Sequence, residues 1–170
     1  MLIWRSFGSL VVALIAGVGA LSAGPLQAAA SGEEIIKARS SFMKDELQAQ
    51  WRTLAAFGKG GAGSLAEIEK SAAILSDLAK KLPEHFPKDT GRGNYPDKLT
   101  TALPLIWTDA AEFQKANQNF AAETAKLVTL AKAGQKDAVV DMIGNTGSYN
   151  RTKIGCAECH QKFTGPRVRD

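Results

Sequence analysis

The chain has 170 residues, 21 Lys+Arg against 17 Asp+Glu, and only two cysteines. That length is the size of one domain, and a formal net charge of +4 is too mild for a nucleic-acid partner, which usually presents a clustered basic face. A chain this long buries a real core, so it does not depend on disulfide staples.

The first 30 residues read as a secretory signal peptide. Arg5 supplies a positive start, residues 8–24 are apolar and uncharged, and Ala28-Ala29-Ala30 gives the small residues of a cleavage site. A membrane anchor is the competing reading. The run is short for a spanning helix of about 20 apolar residues, and it carries several glycines. No second run of that kind follows, so the mature chain, 31–170, is expected to be exported, without stable membrane insertion. Loss of Arg5 leaves 20 basic residues against 17 acidic, a net charge of about +3.

Four helical segments follow. The first runs from about Gly32 to Phe57, with Ile36, Met43, Leu47, Trp51 and Leu54 on one apolar stripe. Arg39 lies on that stripe. Gly58, Gly60, Gly61 and Gly63 end the helix. Ser64 and Glu67 then form a capping-box pattern for the second helix, Ser64 to Leu82, with Leu65, Ile68, Ala72, Leu75, Ala79 and Leu82 in phase. Pro83 and Pro87 stop it, and 83–100 is the longest irregular link. The third helix starts near Ala102 or Pro104 and ends near Ala133-Gly134, with Ile106, Ala110, Phe113, Phe120 and Leu127 on its buried face. The fourth begins near Gln135, carries Val139, Val140, Met142 and Ile143, breaks at Gly144 to Gly147, and resumes before Cys156. No strand-like alternation competes. The expected fold is all-α, an antiparallel four-helix bundle.

Cys156-Ala157-Glu158-Cys159-His160 is a C-x-x-C-H pentapeptide, the attachment signature of c-type haem. Two thiols at this spacing reach the two vinyl groups on one edge of a planar macrocycle. The next residue's imidazole is then carried beneath the iron, which makes His160 the proximal metal ligand. A thioredoxin-type C-x-x-C would need a preceding strand, and none is visible. Zinc needs four ligands, and the only other histidine is His85 in a proline-flanked loop, read as a solvated loop residue. The implied cofactor is one covalent haem c held by Cys156 and Cys159.

With that motif near its C-terminus, the chain resembles the class II cytochromes c, which include cytochrome c′. Ile106-Trp107-Thr108-Asp109-Ala110-Ala111-Glu112-Phe113 is similar to that family's Ile-Trp-x-Asp-x-x-x-Phe stretch, and Ile36-Lys37-Ala38-Arg39 to the opening of its first helix. The resemblance implies a haem-binding bundle with Arg39 near the propionates, and weaker contacts from Ser40 and Thr101. An arginine on an apolar stripe also calls for an anion on chemical grounds. Met43 falls where the family's first helix faces the distal side of the iron. In the low-spin branch that residue is a methionine bound as sixth ligand; in the five-coordinate proteins it is a non-ligating apolar residue. Thr164 stands where the family commonly has a basic residue, which departs from the pattern.

The leading expectation is therefore a periplasmic single-electron carrier, low-spin, with Met43 ligated and redox proteins as partners. The alternative is a five-coordinate haem protein that binds nitric oxide or carbon monoxide. Enzyme activity is not expected, since His85 is the only spare histidine and no nucleophile–base pair is visible. A homodimer is possible within the family.

Overall fold

The computed structural model describes residues 30–168 other than 61 and 146. The expected signal peptide falls outside the described residues but for Ala30, and so does Gly61.

Ser31 opens the first helix. Its hydroxyl accepts the Glu34 N–H, and the Glu34 carboxylate accepts the Ser31 N–H at 2.7 Å, so two end donors are satisfied reciprocally. The first helix is not uniform: α1 (Gly32–Ser41) passes through a π-helical turn (Phe42–Leu47) into α2 (Gln48–Gly60). Within that turn the Gln48 N–H reaches back five residues to the Met43 carbonyl. The Ser64–Glu67 capping box forms as expected and starts α3 (Leu65–Lys81). Pro83 ends it. Lacking an N–H, Pro83 leaves the Ala79 carbonyl without its usual helical donor, and Asn117 Nδ2 fills that role at 3.0 Å. A 3₁₀ turn (Leu82–His85) leads into the irregular link.

The third helix also differs from its expected form. A single turn, α4 (Leu105–Thr108), breaks at Asp109, whose φ of −125° and ψ of 55° are non-helical, before α5 (Ala110–Lys132) continues. Ala110 is exposed rather than on the buried face, because the break resets the phase. Ala116 and Asn117, buried but absent from the expected stripe, take up that face with Phe113, Phe120 and Leu127. The fourth helix is split into α6 (Lys136–Ile143) and α7 (Cys156–Phe163), with a 3₁₀ turn (Tyr149–Arg151) between them.

These elements make a four-helix bundle in which α3 and α5 form the most extensive pair. Its core has two clusters. One gathers Trp51, Leu54, Ile68, Phe120, Leu127 and Val139 with their neighbours, and the other gathers Phe42, Leu78, Leu82, Ile106, Phe113 and Phe163. Leu54, Ile68, Leu127 and Val139 are fully buried, each contributing about 1.5–3 kcal/mol of transfer free energy. Among the described residues there is no strand, only isolated bridges, of which Ala102 to Thr164 ties the link to the end of α7.

Candidate functional site

The short helix α7 carries the whole motif, and both of its ends are pinned. At the start, Gly155 adopts φ 85°, the left-handed region that glycine enters without strain. A Cβ there would stand 2.8 Å from Phe120 Cα, so α7 begins flush against α5. At the far end, Phe163 packs edge-on to Phe113 with ring centroids 5.3 Å apart. The Leu103 N–H donates to the Phe163 carbonyl at 3.0 Å, and the Gly165 N–H to the Thr101 carbonyl at 2.8 Å. Thr101 thus meets this helix through its backbone. Lys162 reaches Asp109 and Glu112, both at 3.3 Å, so three members of the Trp107-containing stretch (Asp109, Glu112 and Phe113) hold α7 in place.

The two thiols sit on the seam between the clusters. Cys156 packs against the first and Cys159 against the second, and both are free and partly exposed. Burial, with Cys159 as a lesser cause, pushes the Cys156 thiol up to about 12. Burial first, and the charge of Glu158 second, pushes Cys159 up to about 11. Redox and zinc-binding cysteines need the opposite shift, towards thiolate. His160 shows an exposed edge, yet desolvation still pulls its imidazole below the usual 6.5, so it is neutral and able to ligate at pH 7. Tyr149 lies against it, with ring centroids 4.8 Å apart, at the mouth of a cavity of about 500 Å³ bordered by Trp51, Arg52 and Lys59. Among the described residues no group of three or more His, Cys, Asp and Glu gathers to hold a metal ion. Two thiols and the adjacent imidazole on one short helix, with no fourth ligand gathered beside them among the described residues, suit a tethered haem and do not suit a zinc site.

Met43 is half-buried and borders the second cluster, as Cys159 does, so the first helix and the motif helix meet on that cluster. Leu47 and Ile74 border the same cluster, so its partly buried margin there is apolar. Ser40 does not join them; it is exposed on α1.

Arg39 is anchored by the irregular link. It is only 5% exposed, and among the described residues no carboxylate partners it. Its guanidinium donates instead to four neutral oxygens: the His85 carbonyl at 3.4 Å, Thr90 Oγ1 at 2.9 Å, the Thr90 carbonyl at 2.7 Å and Thr100 Oγ1 at 2.9 Å. This cage fixes the guanidinium within the protein itself. Burial lowers its pKa to about 10, which leaves it charged at pH 7.

His85 is not a solvated loop residue either. It ends the 3₁₀ turn, and its ring stacks on Phe42 with centroids 3.8 Å apart and planes 22° from parallel. Neither this stack nor Tyr149 announced itself, since both partners come from irregular segments. The π turn left no such signal either: Met43, Leu47 and Trp51 recur at intervals of four, which an uninterrupted α-helical stripe also gives.

The family model described as cytochrome c′ matches residues 34–164. A cytochrome c′ from Rhodopseudomonas palustris is 32% identical over 153 residues, covering 89% of this chain and 94% of the relative. Among solved structures, cytochrome c′ from Rubrivivax gelatinosus aligns with a TM-score of 0.61 at 28% identity, over 78% of this chain and 96% of that one. A ferrous variant of cytochrome c prime from Alcaligenes xylosoxidans with bound nitric oxide aligns with a TM-score of 0.64 at 26% identity, over 82% of this chain and 99% of that one.

Proposed function

Since the chain belongs to the cytochrome c′ family and carries one covalent haem c, we propose that it is an exported haem protein whose distal side receives nitric oxide or carbon monoxide. When bound, the haem would supply an iron that changes oxidation state by one electron and can bind a small gas. Cys156 and Cys159 would hold the group by thioether bonds, and the neutral imidazole of His160 would be its proximal ligand. Met43, Leu47 and Ile74, all bordering that cluster, would give the distal side an apolar lining that favours a small neutral ligand. Arg39 adds a buried positive charge on the first helix, its two terminal nitrogens held by Thr90, Thr100 and the His85 carbonyl, so it would act on the haem at least through its charge.

The observation that carries this reading is the similarity to a structure solved with bound nitric oxide, along most of both chains. The family match supports the open distal site over the low-spin branch expected from Met43. A binding role also fits the site better than catalysis, because His85 is engaged by Phe42 and offers no free general base at the wall.

The second reading, a periplasmic single-electron carrier with Met43 as sixth ligand, is favoured by one observation: Met43 borders the same cluster as Cys159. Optical spectra of the reduced protein with and without carbon monoxide decide between the two. A high-spin spectrum that shifts at once on adding the gas, in wild type and Met43→Ala alike, is the expected outcome. A low-spin spectrum that resists the gas until Met43 is replaced by Ala would overturn it in favour of electron transfer.

A further inference from the structure

The residue before Met43 is clamped from outside the first helix. Phe42 is 3% exposed, and its ring lies flat on that of His85, at the end of the 3₁₀ turn after α3. The His85 carbonyl accepts from Arg39, one turn earlier on α1. Arg39 is fixed by Thr90 and Thr100 farther along the same link, and its guanidinium carbon lies 4.9 Å from the centre of the Phe86 ring. Phe86 is held in turn, its carbonyl accepting Trp107 Nε1–H at 3.0 Å. The link thus grips α1 at Arg39 and Phe42, immediately ahead of Met43.

Beyond Phe42 the helix is at its least determined. The Phe42 N–H is shared between the Ala38 and Arg39 carbonyls, and the Met43 carbonyl serves the Gln48 N–H five residues on. A π turn holds one residue more than an α turn. Its relaxation to α geometry would rotate Met43 by roughly 100° about the helix axis relative to the segment beyond. The turn persists only where its surroundings over-determine it, and the Phe42–His85 stack is the contact nearest to its start.

We propose that His85 is a positioning residue for the distal face: through its stack on Phe42 it holds the π-helical turn in register and so sets how closely Met43 stands over the haem. This rests on the reading that Met43 borders the distal side, and it holds whether Met43 walls that side or ligates there. In both cases Met43 limits the approach of a gas. His85 acts through Phe42 and touches neither haem nor ligand.

The test is the rate of carbon monoxide association with the reduced holoprotein, by flash photolysis or stopped flow. His85→Ala is expected to speed association by about three- to tenfold, the range that one aromatic stack commands. His85→Phe, which keeps a ring on Phe42, should restore the wild-type rate. In a Met43→Ala background, His85→Ala should change nothing further. Phe42→Leu removes the other half of the stack and should reproduce the acceleration, which keeps the test open if His85→Ala folds poorly. Thermal melting of each variant separates loss of fold from loss of register. The inference is overturned if the stack variants leave the rate unchanged while Met43→Ala alters it, if His85→Phe behaves like His85→Ala, or if the acceleration persists without Met43. A Met43→Ala protein indistinguishable from wild type would instead defeat the underlying reading that Met43 borders the distal side.

Discussion

At Arg39 a single side chain ties the first helix to three points along the 83–100 link. Its cage oxygens come from His85, Thr90 and Thr100, between 46 and 61 residues away. That separation is why the cage was not legible: an arginine on an apolar stripe signals only that a partner exists. The motif cysteines and His160 were legible for the opposite reason, because their chemistry depends on spacing along one short helix. Replacing Arg39 by Ala removes hydrogen bonds to a charged donor and abandons buried acceptors, so a loss of about 2–3 kcal/mol is expected in urea unfolding. Arg39→Lys should recover only part of this, since one ammonium cannot reproduce a planar fork that serves several oxygens. Equal stability of Arg39→Lys and wild type would show that the fork geometry is not what matters.

Among the elements, helix starts were the most readable feature and helix interiors the least. Ser31 with Glu34, and Ser64 with Glu67, form local caps that need nothing from the rest of the molecule. The π turn, the break at Asp109 and the gap between α6 and α7 depend on packing partners, and a strict α period passes over them. The Ser31 cap also carries a pH signature. The backbone N–H of Ser31 first, and its hydroxyl second, hold the Glu34 carboxyl below its usual 4.5. Because the folded pKa is the lower one, the unfolded chain takes up protons first as pH falls. The contribution is therefore complete above 4.5 and is lost as pH drops through the lowered value. Thermal melting between pH 6 and pH 3 should show wild type losing more stability than Glu34→Gln across this acid window, the variant having no carboxyl to protonate at that cap. Identical acid slopes for the two proteins would separate Glu34 from that cap.

For the molecule as a whole, function depends on how α7 is seated, because the haem-attaching residues sit on a helix of eight residues joined to the bundle by an irregular approach. The bundle and the motif could both be read from the sequence, but this seating could not. It rests on Phe120 lying under Gly155, on Ala102 bridging Thr164, and on Asp109 and Glu112 meeting Lys162. Gly155 isolates the first of these. Gly155→Ala meets two penalties, a left-handed φ and a Cβ 2.8 Å from Phe120 Cα, whereas Gly134→Ala has a similar φ of 71° with nothing near its Cβ. The left-handed conformation alone costs about 1–2 kcal/mol in either variant. Gly155→Ala should therefore melt lower than Gly134→Ala, and the excess measures the pressure of α7 on α5. If that pressure sets the helix in place, Gly155→Ala should also lower the fraction of purified chain bearing covalent haem, read from intact mass, while Gly134→Ala leaves it at the wild-type value. Equal haem loading in the two variants would show that the thiols are presented correctly without the Phe120 contact, and that the Thr101–Thr164 end of α7 suffices to seat it.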